Sequence, residues 1–573
     1  MIKNNARISI ILFFFLAGFS ISNAQNLNNK YLANSKNQLL DQVFISDREC
    51  YFSFDIESKE QVHQLTKIIS IDKIEGLKIY AYANRIDFEK FLNLNINYQI
   101  LSHPLANFKA DMFDSKLKQT YAWDQYLSYT DYVDLMYQFA IDYPSICKVF
   151  SLGNSIEGRE ILVAKISDNI DIKEAEPQFL YTGQIHGDEL VNSILMLRLI
   201  DYLTAYYGSD DQVSSLVDNI EIWINPLANP DGLYAGGNNT VNGARRSNAN
   251  GVDLNRNFPD PEDGEHPDGN SWQTETQLFM TLAEAQNFTM SANTHAGAEV
   301  VNYPWDTWYT LHADDSWWQM VSHEYADLAQ LNSPAGYMDG FIDGITNGAL
   351  WYVIGGGRQD YMNYFQHCRE VTIEQATEKG LSSSLLPAYW DYNRQAMLNY
   401  LAQVMYGFRG NITDLDTGEP IEAKIKIEGH DFDNSYVVSN LDGDYYRPIK
   451  AGTYTLNFSA ESYDSKSVSN QFVDDFDSKV VDIILQKTDT GIDSNILSKL
   501  KIINPIRNHK LQIISPIDIK TVKIYNILGQ LVLSKETNTK ELFIEIDNFQ
   551  AGVYIVKLEL INGAFVQKRI VSP

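Results

Sequence analysis

The sequence predicts a mixed α/β fold: one large sheet with helices on both faces, preceded by a small α+β domain and followed by two small β-sandwich domains. Three observations lead there. At 573 residues the chain is too long for one hydrophobic core, since domains usually run to roughly 100–200 residues. Between about Tyr121 and Gly407, strand-like runs such as FLYTGQI and IEIWINP alternate with helical stretches near Asp131 to Phe139 and from Glu189 to Ala205, the pattern of a sheet with crossover helices. Beyond Phe408, short β-rich runs recur between turn signals with no helical period among them.

Taken in order, residues 1–24 read as an export signal, with Lys3 and Arg7, an apolar run from Ile8 to Phe19, and Ser22-Asn23-Ala24 before Gln25. An apolar run of about 12 residues is too short to span a bilayer, which takes roughly 20. Residues 25–118 form the α+β domain, with strands YFSFDI, LKIYAYA and YQIL between helical segments EQVHQLTKII and RIDFEKFL. The large sheet occupies 119–406. Residues 407–488 carry AKIKIEG, YVVSN, YTLNFSA and VVDIILQ between TGEP, LDGD and KAGTY, a small β-sandwich. A polar linker, 489–498, leads to a last β-rich unit, 499–573, with KLQIIS, TVKIYNI, LFIEI, GVYIVKLEL and FVQKRIV.

A net charge of −29 argues against a nucleic-acid partner, which calls for clustered Lys and Arg. The last unit differs, with 11 Lys+Arg against 6 Asp+Glu from Lys499 onward. Cys50, Cys147 and Cys368 are too few for a disulfide framework, and no two have CxxC spacing. Any metal site must therefore use histidines and carboxylates.

Such a site is legible at His186 and Glu189, an HxxE pair where an apolar strand gives way to a helix. The motif is weak alone, because His367 and Glu370 form a second HxxE. That copy lies in the strand-like HCREVTIE, where residues three apart point to opposite faces, so it cannot chelate. The first copy needs a third ligand, and His295 supplies one at the end of another apolar strand, 109 residues on. Two His and one Glu with a fourth position open is the usual catalytic zinc arrangement.

Across roughly Tyr121 to Met405 the sequence resembles the zinc metallocarboxypeptidases of the carboxypeptidase A/B and N/E type, the N/E branch more closely. GNSIEGREI, HGDE, NPLANPDG, ANGVDLNRNFP, THAGAEVVNYPW and GGGRQDYMNYFQHCREVTIE carry the resemblance, in the family's order.

The resemblance implies one zinc per chain on His186, Glu189 and His295, with Asp253 fixing His186. It assigns Asn255 and Arg256 to the substrate's terminal carboxylate, where arginine offers a two-pronged fork. Arg246 would stabilise the oxyanion, with Arg245 a surface charge, although a one-residue slip reverses that pair. Tyr352 would close over substrate. Glu374, 22 residues after Tyr352, would be the general base; Glu370 shares its strand face, so the choice rests on the resemblance. Asp306 and Gln359 match positions that meet the departing side chain, and a buried carboxylate there implies a preference for Lys or Arg. Zinc would activate water for hydrolysis of the C-terminal bond, with no covalent intermediate.

The flanks carry resemblances of their own. Residues 26 to about 115 are similar to the prosegment of the A/B branch and imply a cap over the active-site funnel, removed by cleavage between about Lys109 and Lys118. GNITDLDTGEPIEAKIKIEG and the segment from Ser439 to Tyr463 resemble the transthyretin-like sandwich of the N/E branch. INPIRN, VKIYNILGQLV, GVYIVKLEL and KRIVSP resemble the sorting tail of type IX secretion cargo. Peptide or protein C-termini and the type IX machinery are therefore the expected partners, and the mature enzyme is expected secreted or at the cell surface with no transmembrane segment. Two other functions would share these residues: a zinc amidohydrolase acting on cell-wall peptides or acylated amino acids, and a non-catalytic surface binding protein.

Overall fold

Every residue of three strands, Gln178–Thr182, Glu221–Asn225 and Phe288–His295, is buried, as happens when helices cover both faces of a sheet. They form the centre of an eight-stranded sheet in the computed structural model, which describes residues 36–44, 48–59, 61–114, 121–488, 499–503, 510–526, 530–546, 549, 552–561 and 563–572. The expected export signal and linker, and residues 115–118 of the expected cleavage region, lie outside the described residues.

The N-terminal domain has β1 (Cys50–Asp55), β2 (Ser70–Glu75), β3 (Lys78–Ala83) and β4 (Tyr98–Leu101) in the order β2-β3-β1-β4, all antiparallel. Phe52 and Phe54 on β1 pack against Phe88 and Phe91 of the helix Arg85–Leu92. One strand departs from the sequence reading. The helix expected to run through EQVHQLTKII stops at Thr66, and the polar SIDKIE segment forms β2 at the sheet edge. Only Ile71 of β2 is buried, so hydrophobic periodicity is too weak to reveal it.

The large sheet has β5 (Cys147–Asn154), β6 (Glu160–Ile166), β7 (Gln178–Thr182), β8 (Glu221–Asn225), β9 (Phe288–His295), β10 (Ala298–Tyr303), β11 (Ile345–Asn347) and β12 (Arg369–Ala376), in the order β11-β10-β12-β9-β7-β8-β6-β5. The inner strands β12, β9, β7 and β8 are mutually parallel, and antiparallel pairings flank them. After β7 the chain turns to β8 on one side and to β9 on the other. The carboxyl ends of β7 and β9 therefore bound a crevice, the usual place for a ligand in such a sheet. The helices Val191–Tyr206 and Leu386–Ala402 close one face with Leu195, Leu199, Met397 and Leu401 in the main core.

Behind it lie two four-stranded sheets built from Gly407–Asp414 to Ile483–Leu485. Their inner faces meet through Tyr445 and Phe458, with ring centroids 5.5 Å apart. This sandwich is clamped to the catalytic sheet by buried charge. Asp314 lies 2.8 Å from Arg369 at the start of β12 and 2.9 Å from Arg447 of the sandwich, which also reaches Asp431 at 2.6 Å. The cluster Asp314, His430 and Asp431 has metal-like spacing, but two guanidinium groups already supply its positive charge. Residues 501–572 form a separate five-stranded sheet around the long strand Lys510–Asn526, with a core of Leu511, Ile513, Val522, Ile524, Val556 and Leu558.

Candidate metal centre and its cavity

The turn after β7 brings His186 and Glu189 together just before the helix Val191–Tyr206, and β9 delivers His295 at its last residue. The two imidazoles face each other Nδ1 to Nδ1 at 3.1 Å. Glu189 spans them, with Oε1 2.9 Å from His186 Nδ1 and Oε2 3.0 Å from His295 Nδ1. All three side chains are buried.

The outer ring atoms settle the protonation pattern. His186 Nε2 lies 3.0 Å from Asp253 Oδ1, and His295 Nε2 lies 2.6 Å from Asn293 Oδ1. Both partners are acceptors, so each Nε2 carries its proton, and each Nδ1 would turn its lone pair to a cation bound between the rings. Two lone pairs and a carboxylate converging in a buried space is a donor set for a divalent cation, and the types match zinc. Burial opposes ionisation of Glu189, yet the two histidines hold its carboxyl well below the usual range. Burial pushes His295 down to about 4, so it is a neutral donor at ordinary pH.

Asn293 is the residue that sequence reading missed. It stands two positions before His295 on β9, where alternate residues share a face, so the signal was available in NTH. Asp253 was expected beside His186 and is there.

A cavity of about 250 Å³ opens from the triad and is lined by Arg246, Asn255, Arg256, Asp306, Tyr352, Thr372 and Glu374 among others. Glu374 stands in register with His295 on the adjacent parallel strand, partly exposed to the cavity, and its Oε2 has no hydrogen-bond partner among the described residues. Burial, then the charge of Glu189, holds its carboxyl well above the usual range; a cation on the triad would cancel that repulsion. Glu370 is occupied elsewhere, 3.0 Å from Arg358 and 2.6 Å from Ser291 Oγ. Geometry thus separates two glutamates that sequence could not. The second HxxE is no chelate either: His367 precedes β12 with φ of 56° and its Nδ1 lies 3.0 Å from the Asn434 carbonyl.

Arg246 faces the triad, with Nη1 3.4 Å from Glu189 Oε1 and Nε 3.1 Å from Asp253 Oδ2. Arg245 donates to the carbonyls of Gly243 and Ala244. Arg256 is buried, donates from Nη1 to the Asn255 carbonyl at 2.7 Å, and its Nε has no hydrogen-bond partner among the described residues. Asp306 accepts from Asn302 Nδ2 at 2.9 Å, while its backbone N–H donates to Asp360. Burial raises its carboxyl to about 6. Tyr352 packs against the core of the N-terminal domain. Gln359, expected among the substrate contacts, does not line the cavity. It lies buried on the helix Arg358–Phe365 with its side-chain amide unpartnered among the described residues, while its neighbour Asp360 takes the helix face turned toward Asp306.

The N-terminal domain reaches into this centre. Ser70 Oγ accepts from Arg246 Nε at 2.8 Å and hydrogen-bonds Asp253 Oδ2. Asp72 pairs with Lys379 at 2.6 Å and lies 3.9 Å from Arg246. Glu49 accepts from the backbone N–H groups of Arg246 and Ser247, both at 2.9 Å.

A parallel-centred α/β sheet with a buried two-histidine, one-glutamate centre at the end of its middle strands defines a metallohydrolase of the zinc peptidase class. Comparison with known proteins narrows the class. Residues 132–396 match the zinc carboxypeptidase family, and residues 504–572 match the secretion system C-terminal sorting domain. The carboxypeptidase N catalytic chain of Homo sapiens is 34% identical over 382 residues, 60% of this chain and 81% of that protein. Carboxypeptidase SOL1 of Arabidopsis thaliana is 35% identical over 352 residues, 60% of this chain and 69% of that protein. Carboxypeptidase D of Anas platyrhynchos is 36% identical over 382 residues, 64% of this chain; the match spans only 27% of that longer protein. The chain belongs to the zinc carboxypeptidase family. Its tail is a type IX sorting domain, which marks an exported protein, secreted or held at the cell surface. Among the described residues no helix is long and apolar enough to cross a membrane.

Proposed function

We propose that the protein is a metallocarboxypeptidase that removes C-terminal residues from peptides, preferring Lys and Arg. The observation that carries this reading is the shared cavity: the buried guanidinium of Arg256 opens onto the same space as the His186–Glu189–His295 triad and Glu374. A substrate carboxylate on Arg256 and Asn255 sets the last peptide bond against the triad. His186, Glu189 and His295 would hold a zinc ion, which would supply Lewis acidity for the carbonyl and for water. Glu374 takes the proton of the attacking water as the new C–O bond forms. It then delivers that proton to the amine nitrogen as the C–N bond breaks. Arg246 meets the negative charge that develops on the carbonyl oxygen. Asp306 offers a carboxylate to a basic departing side chain, in line with the charge preference the sequence implies.

The test compares release of Lys, Arg, Phe and diaminopimelate from matched peptides with free and amidated C-termini. Metal-dependent release of Lys and Arg from free ends alone is expected. Hydrolysis of amidated ends at the same rate would overturn the exopeptidase reading, and release of diaminopimelate alone would transfer it to a cell-wall amidohydrolase.

We also infer that the N-terminal domain restrains the enzyme. Ser70 and Asp72 engage Arg246 and Lys379 beside the triad, where the developing oxyanion would need Arg246 free. Full activity of the intact, uncut chain would refute this.

A further inference from the structure

His295 starts a chain of polar contacts that runs through buried residues unused so far. Its Nε2–H donates to Asn293 Oδ1 at 2.6 Å. Asn293 Nδ2 donates in turn to Glu370 Oε1 at 3.0 Å, with Thr372 Oγ1 at 3.1 Å and the Val371 carbonyl at 3.3 Å. The other Glu370 oxygen, Oε2, accepts from Ser291 Oγ at 2.6 Å and pairs with Arg358 Nη2 at 3.0 Å. The Arg358 backbone N–H donates to Asn255 Oδ1 at 2.9 Å. Ser291, Asn293, Arg358 and Glu370 are all at most 1% exposed.

We propose that Glu370 is a positioning residue for the metal centre, acting through Asn293 on His295, and that Arg358 ties this anchor to Asn255. An amide has one accepting edge and one donating edge. With Glu370 on the donating edge, Asn293 can turn only its oxygen to His295, which keeps the ring proton on Nε2 and the Nδ1 lone pair on the metal side. A flipped amide would set N–H against N–H. The two ligand histidines are thus held unequally: His186 meets a carboxylate directly, whereas His295 meets one at a single remove. Strand register makes this possible, because Ser291 pairs with Glu370 and His295 with Glu374 along β9 and β12. One strand face therefore carries two carboxylates, one at the buried floor and one opening onto the cavity.

The inference rests on the metallopeptidase reading only in requiring a divalent ion at the triad, and its readout is metal binding rather than turnover. The full chain is stripped of metal, reloaded with Co²⁺, and followed by visible absorption and by chelator competition. Asn293→Asp and Glu370→Gln are each expected to weaken Co²⁺ binding about 10- to 100-fold, the usual effect of losing such a partner. The exchange variant N293D/E370Q keeps the bond accepted from His295 Nε2–H and restores the 293–370 hydrogen bond with donor and acceptor reversed, the total charge kept. It is expected to recover most of the affinity and the wild-type spectrum. Wild-type affinity in both single variants, or an exchange variant no better than either, would overturn the proposal. If the single variants fail to fold, the exchange variant decides alone: a wild-type Co²⁺ spectrum supports the relay and an altered one refutes it. A wild-type protein that binds Co²⁺ but releases no amino acid would sink the peptidase reading and leave this one standing.

Discussion

Asp72 of the N-terminal domain and Lys379 of the catalytic domain form an ion pair at 2.6 Å, with side-chain exposures of 10% and 7%. Lys379 also reaches Asp188 of its own domain at 3.3 Å, so removing the Asp72 charge costs the contact between the two domains without leaving Lys379 unpaired. Asp72→Asn is therefore expected to weaken docking of the N-terminal domain, read as a lower midpoint in urea denaturation. If that domain restrains the enzyme, the intact variant should also hydrolyse peptides faster than the intact wild type.

Glu374→Gln preserves shape and removes the proposed base. Peptide hydrolysis should fall by roughly 100- to 10,000-fold while zinc content by metal analysis stays at one per chain. Glu370→Gln should keep its general base and lose metal affinity instead, so the two variants separate the glutamates experimentally.

Arg256→Ala should lower kcat/KM for peptides with a free C-terminus by about 2–5 kcal/mol in transition-state terms. Amidated peptides, which offer no carboxylate, should lose little. Equal losses on both would mean that Arg256 does not grip the chain end.

Asp306 titrates at about 6 because burial opposes its charge. Preference for Lys over Phe should therefore rise as pH increases through about 6 and vanish in Asp306→Asn. The stability consequence has the opposite direction. A carboxyl whose folded pKa is raised favours the fold in its neutral form, so the contribution is complete below the ordinary value of 3.8 and is lost as pH climbs through 6. Asp306→Asn should thus be relatively more stable than wild type above pH 6, measured by thermal unfolding across pH.

Metal removal should lower the thermal midpoint, since an ion that binds only the folded triad stabilises that state by mass action. Restoring zinc should restore the midpoint, and a His295→Ala variant should show neither change.

The triad was legible because His295 ends one apolar strand and His186 and Glu189 sit in the short turn that follows another, where the strands' direction brings them to one end of the sheet. The second HxxE was dismissed on strand alternation, and it fails in the structure with one addition: His367 lies outside the strand altogether. Glu374 and Glu370 could not be told apart, since both face the same way on β12 and only their neighbours differ. Those neighbours, Ser291 and Arg358, come from distant positions that no local pattern links. The reach of Ser70 and Asp72 into the centre was hidden for a related reason. They sit on an edge strand of polar composition whose only buried residue is Ile71, so neither period nor propensity exposed the strand that carries them. Gln359 lies buried on the helix Arg358–Phe365 and does not line the cavity, and Asp360, about 100° further round the helix, accepts from the Asp306 backbone N–H instead.

The clamp at Asp314 bears on the order in which the protein is made. Strand β12 leaves the ribosome well before Arg447, so for a time Asp314 faces Arg369 with half of its final cationic partners. The catalytic sheet can then be complete in hydrogen bonds while its rear wall still lacks a charge that only the later sandwich supplies. Translation thus places the closing stone of the catalytic domain 133 positions beyond the residue it completes, Asp314 to Arg447, and a stalled or truncated chain would present that unfinished wall to the chaperones and proteases that meet it.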